Sequence, residues 1–212
     1  MYLDYSNPTL RHVTISNNEA TENDGGGMYL RFSDPILSHI TISGNTTDED
    51  GGGMYSFVSN PTLMNSIIWE NSPESIYFTP DDVPIITYSN IEGGYEGEGN
   101  IDIDPLFTDS ENGDYRLQNG SPCIDTGNPI IWYNDIDGTR ADTGFTGGLF
   151  AIPNFISHDF GEIGSSGSSK QFNLFNYRQI PIVIDTVSFE TTSFISSSTF
   201  PIIINPLETG II

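Results

Sequence analysis

Tyr29, Tyr55 and Tyr77 each follow an apolar residue, Met28, Met54 or Ile76, in a short strand-like run. If those runs stack, the apolar residues point inward and the tyrosines form an outward column. Such a column can bind sugar rings or a protein surface, and it can also stabilise the sheet by stacking on itself. A second group is acidic: Glu22 and Asp24 in one loop are followed by Asp48 and Asp50 in the next. Stacked carboxylates repel one another unless water or a cation lies between them, and an all-oxygen set suits Ca2+. A solvated rim screened by salt is the alternative. His12 and His39 share a position that Asn65 then occupies, which points to a polar ladder satisfying a turn rather than to a metal site. A glycosidase needs two carboxylates flanking one bond, and Asp81-Asp82 is the only adjacent Asp pair. It sits in Thr79-Pro80-Asp81-Asp82-Val83-Pro84, which reads as a solvated turn. Asp135-x-Asp137-Gly138 matches part of a Ca2+ loop, but Tyr133 and Gly144 stand where ligands belong, so a turn is expected there too. Cys123 is alone and reads as a small buried hydrophobe.

These residues are positioned by a repeat. Ser6-Asn7-Pro8-Thr9-Leu10, Ser33-Asp34-Pro35-Ile36-Leu37 and Ser59-Asn60-Pro61-Thr62-Leu63 align, with their prolines 27 and then 26 residues apart. Each leads through a β-rich stretch to an asparagine: Asn18, Asn45 or Asn71. Two copies continue through an acidic loop into Gly-Gly-Gly-Met-Tyr, at Gly25 to Tyr29 and Gly51 to Tyr55. The spacing of Leu10, Val13, Ile15 and Asn18 also fits a leucine-rich repeat. That fold needs a helix or compact turn in the remainder, and a helix through Gly25-Gly26-Gly27 would lose about 1 kcal/mol per glycine relative to Ala. Strand, turn, strand, turn is the pattern of a right-handed parallel β-helix. Equivalent residues then stack at roughly 4.8 Å, with Leu10/Leu37/Leu63 and Ile15/Ile42/Ile68 inside. Asn18, Asn45 and Asn71 form a structural ladder at a corner, their amides bonding along the stack.

The Gly-Gly-Gly-Met-Tyr and Ile40-Thr41-Ile42-Ser43-Gly44-Asn45 elements resemble the repeats of bacterial right-handed β-helix surface proteins, including polymorphic outer-membrane-protein repeats. Residues 88–144 resemble the segment that closes many such β-helices, through Gly99-Asn100-Ile101-Asp102-Ile103-Asp104-Pro105-Leu106-Phe107 and Gly120-Ser121-Pro122-Cys123-Ile124-Asp125-Thr126-Gly127-Asn128. From His158-Asp159-Phe160-Gly161 through Ile180-Pro181 and Phe194 to Asn205-Pro206-Leu207, the chain is similar to the start of a Hydin-type, or choice-of-anchor D, immunoglobulin-like domain. The expected fold is therefore all-β: a right-handed parallel β-helix over residues 1–150, then a truncated immunoglobulin-like β-sandwich over 151–212. Both ends are expected to lie inside a longer protein.

Composition agrees with that class. There are 22 Gly, 13 Pro and a single Lys, which disfavours helix and marks turns. The net charge of −23 excludes a nucleic-acid binder, which needs cations to displace counterions from phosphates. No apolar run is long enough for a transmembrane helix. The resemblance implies an extracellular or bacterial cell-surface protein, non-catalytic, serving adhesion or carbohydrate binding, with a polysaccharide or a cell-surface protein as partner. It also extends to pectate lyases and polygalacturonases, so a polysaccharide lyase or glycoside hydrolase is the second expectation. A lyase base would have to come from Arg11, Arg31, Arg116 or Arg140. Arg31 aligns with Phe57 and Arg11 with Met64, and neither stands in an acidic cluster of the sequence.

Overall fold

A computed structural model describes residues 1–130, 133–135, 139–148, 151–153, 171, 173–176, 181–187, 198–205 and 208–211. The chain forms two compact units, Met1–Gly148 and Leu149–Ile212.

The first unit is a parallel β-solenoid with three faces. Tyr2–Asp4, Met28–Arg31, Met54–Phe57 and Ile76–Phe78 make the first face, pairing Tyr2 with Tyr29, Tyr29 with Tyr55 and Tyr55 with Tyr77. The next two faces share one bent strand in the early coils, Thr9–Ser16 and Ile36–Ser43, in register from Thr9↔Ile36 to Ser16↔Ser43. The bend falls at His12 and His39, both with φ 51. In later coils it separates Thr62–Met64 from Ile67–Trp69 at Asn65, and Ile85–Thr87 from Asn90–Ile91 at Tyr88. Every coil therefore turns this corner on one residue in the left-handed region, a conformation that L-residues adopt at a cost. Tyr5, Phe32 and Val58 turn a second corner in the same way, and Asn17, Gly44 and Glu70 a third.

Alternation along the strands fills the interior as the sequence implies. Met28, Leu30, Leu37, Ile42, Met54, Leu63 and Ile68 are fully buried in one cluster. The asparagine ladder closes a corner beside it. Asn45 Oδ1 accepts the backbone N–H of Asn18 at 3.0 Å, and Asn71 Oδ1 accepts that of Asn45 at 3.0 Å. Asn45 Nδ2 donates to the carbonyl of Ile15 at 2.9 Å, and Asn71 Nδ2 to that of Ile42 at 3.0 Å. Each amide thus serves both its own coil and the previous one.

The Gly-Gly-Gly element is the counterpart of this ladder. Gly25 and Gly51 adopt φ +75 and +72. A Cβ on Gly26 would lie 2.3 Å from the Thr46 carbonyl oxygen, and one on Gly52 2.2 Å from that of Ser72. A Cβ on Gly27 or Gly53 would press on the amide of Asn45 or Asn71, at 3.0 and 2.9 Å. A left-handed φ at the first glycine, and carbonyl oxygens of the neighbouring coil pressed against the second and third (Gly53 O 2.6 Å from a Cβ on Gly27, Ser75 O 2.4 Å from one on Gly53), require three consecutive glycines.

Residues 101–148 do more than close the last coil. Ile101 adds a rung beside Asn90, and the chain then runs back along the third face. The antiparallel pair Phe107–Asp109 and Asp114–Leu117 packs Phe107 and Tyr115 on the outward-facing Ile67, with Cys123 buried beside them. Tyr115 Oη accepts from Asn17 Nδ2 at 3.2 Å, the Phe145 N–H donates to Thr41 Oγ1 at 3.2 Å, and the Gly144 N–H to the Asn65 carbonyl at 2.9 Å. The third face is covered around Ile67 and Thr41, while Thr14 in the first coil stays exposed.

In the second unit, Ala151–Pro153, Asn173–Asn176 and Thr209–Ile211 form an antiparallel sheet, and Ile182–Ile184 pairs antiparallel with Ile202–Ile204. His158, Ile180 and Phe194 lie outside the described residues, as do Asp137 and Gly138.

Replacing Asn45 by Ala orphans the Asn18 N–H and the Ile15 carbonyl inside the structure, which is expected to lower stability by about 3 kcal/mol in urea unfolding. The exposed Asn23→Ala change serves as the mild control.

Candidate functional site

The tyrosine column has four members, because Tyr2 extends the series Tyr29, Tyr55 and Tyr77. Ring centroids step by 5.3, 5.1 and 5.3 Å, with interplanar angles of 30°, 28° and 3°. Near-parallel rings this close cannot lie side by side in one plane, so they overlap as an offset stack. The end rings are the more exposed, Tyr2 at 61% and Tyr77 at 37%. Beside the stack, Tyr5 packs on Phe32 at 4.8 Å, and Phe32 meets Phe57 edge-on at 5.7 Å. Arg31 lies over Phe32 at 5.1 Å and pairs with Asp4 at 3.2 Å. A hydrogen bond with Tyr2 and the Asp4 charge hold its pKa above the usual range. Burial, then the Asp24 charge, raises the pKa of the Tyr29 and Tyr55 hydroxyls. The acidic rim therefore borders the tyrosine face.

Within that rim, some carboxylates serve the backbone. Asp24 Oδ1 accepts the Asp50 N–H at 3.1 Å, and Glu74 Oε1 accepts the Gly51 N–H at 2.5 Å. Asp24 and Asp50 occupy adjacent coils, while Glu22 and Asp48 are exposed loop residues. The one place among the described residues where three carboxylates come within 4.8 Å of one another is elsewhere, at Asp125, Asp135 and Asp142. Asp142 Oδ1 accepts the Asp125 N–H at 2.9 Å, and Asp135 accepts the N–H groups of Asp142 and Gly148. Burial, and then the Asp142 charge, pushes the Asp135 carboxyl up to about 7.

The histidines are corner residues under the covering segment. His12 stacks on His39 at 5.0 Å and meets the Phe145 carbonyl through Nδ1 at 3.3 Å. Asn65 Oδ1 accepts the Asn128 N–H at 2.7 Å, which turns its amide nitrogen toward His39 Nε2 at 3.1 Å. His39 Nδ1 then carries the proton and donates to Ser38 Oγ at 3.0 Å. Burial first, and then the His12 and Arg11 charges, lowers the His39 pKa to about 3. A neutral, doubly bonded imidazole is a structural part, not a ligand awaiting a metal.

Of the candidates for hydrolytic or eliminative chemistry, Asp82, Arg116 and Arg140 have structural partners. Asp82 accepts the Ser59 N–H at 2.9 Å and the Thr79 N–H at 3.0 Å. Arg116 pairs with Asp114 at 2.5 Å, holding that carboxyl down at about 2. Arg140 donates to the carbonyls of Gly127 and Thr126 at 2.5 and 3.0 Å.

Residues 2–100 match the family described as the right handed beta helix region. The match spans the stacked coils and ends at Asn100, whose amide donates to the Ile86 carbonyl at 2.9 Å in the last of them. The match and the stacked coils together support a right-handed β-helix repeat over residues 2–100. No curated protein and no solved structure matches the chain. Among the described residues, no helix is long and apolar enough to cross a membrane.

His39 titrates near 6.5 when unfolded and near 3 when folded, so the native state binds the proton less readily. Its contribution to stability is complete above pH 6.5 and is lost as pH falls toward 3, by about 1.4 kcal/mol per unit. His39→Asn, which places the third coil's residue at the same corner, is expected to flatten the fall in urea midpoint between pH 7.5 and pH 4.5.

Proposed function

We propose that the β-helix is a non-catalytic binding scaffold of a secreted or cell-surface protein, and that its tyrosine face holds a carbohydrate. The observation that carries this reading is the aromatic surface of Tyr2, Tyr29, Tyr55 and Tyr77 with Tyr5 and Phe57 beside it, displayed on a parallel sheet. Exposed aromatic patches of this kind mark interaction sites. The returning segment packs on the third face around Ile67 and Trp69, away from the tyrosine column. Arg31, Arg116, Arg140 and Asp82 hold their neighbours together, which favours binding over turnover. Calcium at the rim of Glu22, Asp24, Asp48 and Asp50 belongs to the same proposal, and calorimetric titration with no heat and an unchanged Tm would remove it. The second unit is read as a partial immunoglobulin-like module, supported by the antiparallel pairing of its described strands.

On a glycan array, the wild-type protein is expected to bind and the Tyr29→Ala/Tyr55→Ala variant to lose at least about tenfold in affinity, each removed ring contributing on the order of 1 kcal/mol. Equal binding by both proteins removes the ladder from the reading. Reducing-end and unsaturated-product assays on the same polysaccharides address the lyase or glycosidase alternative, and turnover there overturns the non-catalytic one.

A further inference from the structure

We infer that the tyrosine ladder recognises a neutral, extended glycan lying along the helix axis, held by the ring edges and hydroxyl groups rather than by stacking on ring faces. This rests on the carbohydrate reading above. The inner rings decide the mode of contact. Tyr29 lies between Tyr2 and Tyr55, and Tyr55 between Tyr29 and Tyr77, with centroid steps of 5.1–5.3 Å on either side. A sugar cannot stack on a ring face that a neighbouring tyrosine already overlaps. What such rings turn outward is an edge with its hydroxyl, a group that both donates and accepts hydrogen bonds. A row of these groups suits a polyhydroxylated chain, whose own hydroxyls do the same.

The row is also periodic. Its step is set by backbone pairing between coils, and an extended β-1,4-linked glycan advances along its axis by nearly the same distance per sugar. One sugar therefore meets one rung; successive units of such a chain are turned over relative to each other, so the same sugar edge returns at every second rung.

Charge selects among glycans. Asp24 and Asp50 lie close enough to the ladder to bear on the Tyr55 hydroxyl. The cation within the strands of this face, Arg31, is engaged by Asp4 at 3.2 Å. A carboxylate or sulfate on the ligand would meet like charge at the rim without a cation to receive it, whereas neutral hydroxyls can donate to the rim carboxylates. The same net charge of −23 opposes a second copy of the chain as the occupant.

The test uses the full chain and isothermal titration calorimetry with neutral β-1,4-linked hexasaccharides (cello- and manno-) and with hexagalacturonate. The double variant Tyr29→Phe/Tyr55→Phe keeps the rings and removes the hydroxyls, and circular dichroism and Tm check that it folds as the wild type does. At least one neutral hexasaccharide is expected to bind the wild type, the Phe variant to bind it at least tenfold more weakly, and hexagalacturonate not to bind at physiological salt. Full affinity in the Phe variant, together with loss in Tyr29→Ala/Tyr55→Ala, overturns the hydroxyl contact while leaving the tyrosine face as the site. Tighter binding of hexagalacturonate than of the neutral sugars overturns the charge selection. If no glycan on the array binds the wild type, the carbohydrate reading itself fails.

Discussion

The structure depends on one requirement: the polar backbone groups of each coil must be met by the next coil, including at the corners where regular pairing stops. On the faces, parallel strands do this by themselves. At the turn before the second face, two opposed side-chain ladders take over. The N–H groups of Ser6, Ser33 and Ser59 bond forward to Ser33 Oγ, Ser59 Oγ and Asp82 Oδ1. Those of Asp34, Asn60 and Val83 bond backward to Asn7, Asp34 and Asn60. The repeated Ser-Asn/Asp-Pro element thus ties each coil to both neighbours, and Asp82 ends the serine series.

The covering segment solves a second problem. Outward positions on the third face are Thr14, Thr41 and then Ile67, with Ser16, Ser43 and then Trp69 beside them. Two large apolar side chains there would face water if residues 101–148 did not return over them. The same segment buries the His39 corner, where Gly148 lies so close to the imidazole that a Cβ would fall 2.5 Å from Nε2.

Much of this was legible in the residues because a solenoid repeats its own instructions. The asparagine ladder, the inward Met28 and Met54 and the outward tyrosines follow from aligning one coil on the next. The left-handed turns do not, falling on Asn17, Gly44 and Glu70 just before the ladder asparagines rather than on the asparagines themselves. Tyr2 was missed since it precedes the first Gly-Gly-Gly element. The signal was there in Tyr2-Leu3-Asp4, which aligns with Tyr29-Leu30-Arg31. The path of residues 101–148 was less readable. Its contacts, such as Phe145 with Thr41 and Asn128 with Asn65, join residues 104 and 63 positions apart and occur once each. The change from Thr41 to Ile67 on an outward position was the available hint. The convergence of Asp125, Asp135 and Asp142 likewise depends on a chain path that no periodicity reports.

Along the chain, successive tyrosines of the ladder lie 27, 26 and 22 residues apart, yet their rings step by 5.3, 5.1 and 5.3 Å. The difference is absorbed in the rim, where Asn18 precedes Tyr29 by 11 positions, Asn45 precedes Tyr55 by 10 and Asn71 precedes Tyr77 by 6. The face therefore behaves as a ruler whose graduations are engraved by the backbone, with its slack gathered in one loop per coil. Loops can lengthen or shorten at that edge, and lineages can diverge there, without moving a single mark on the scale.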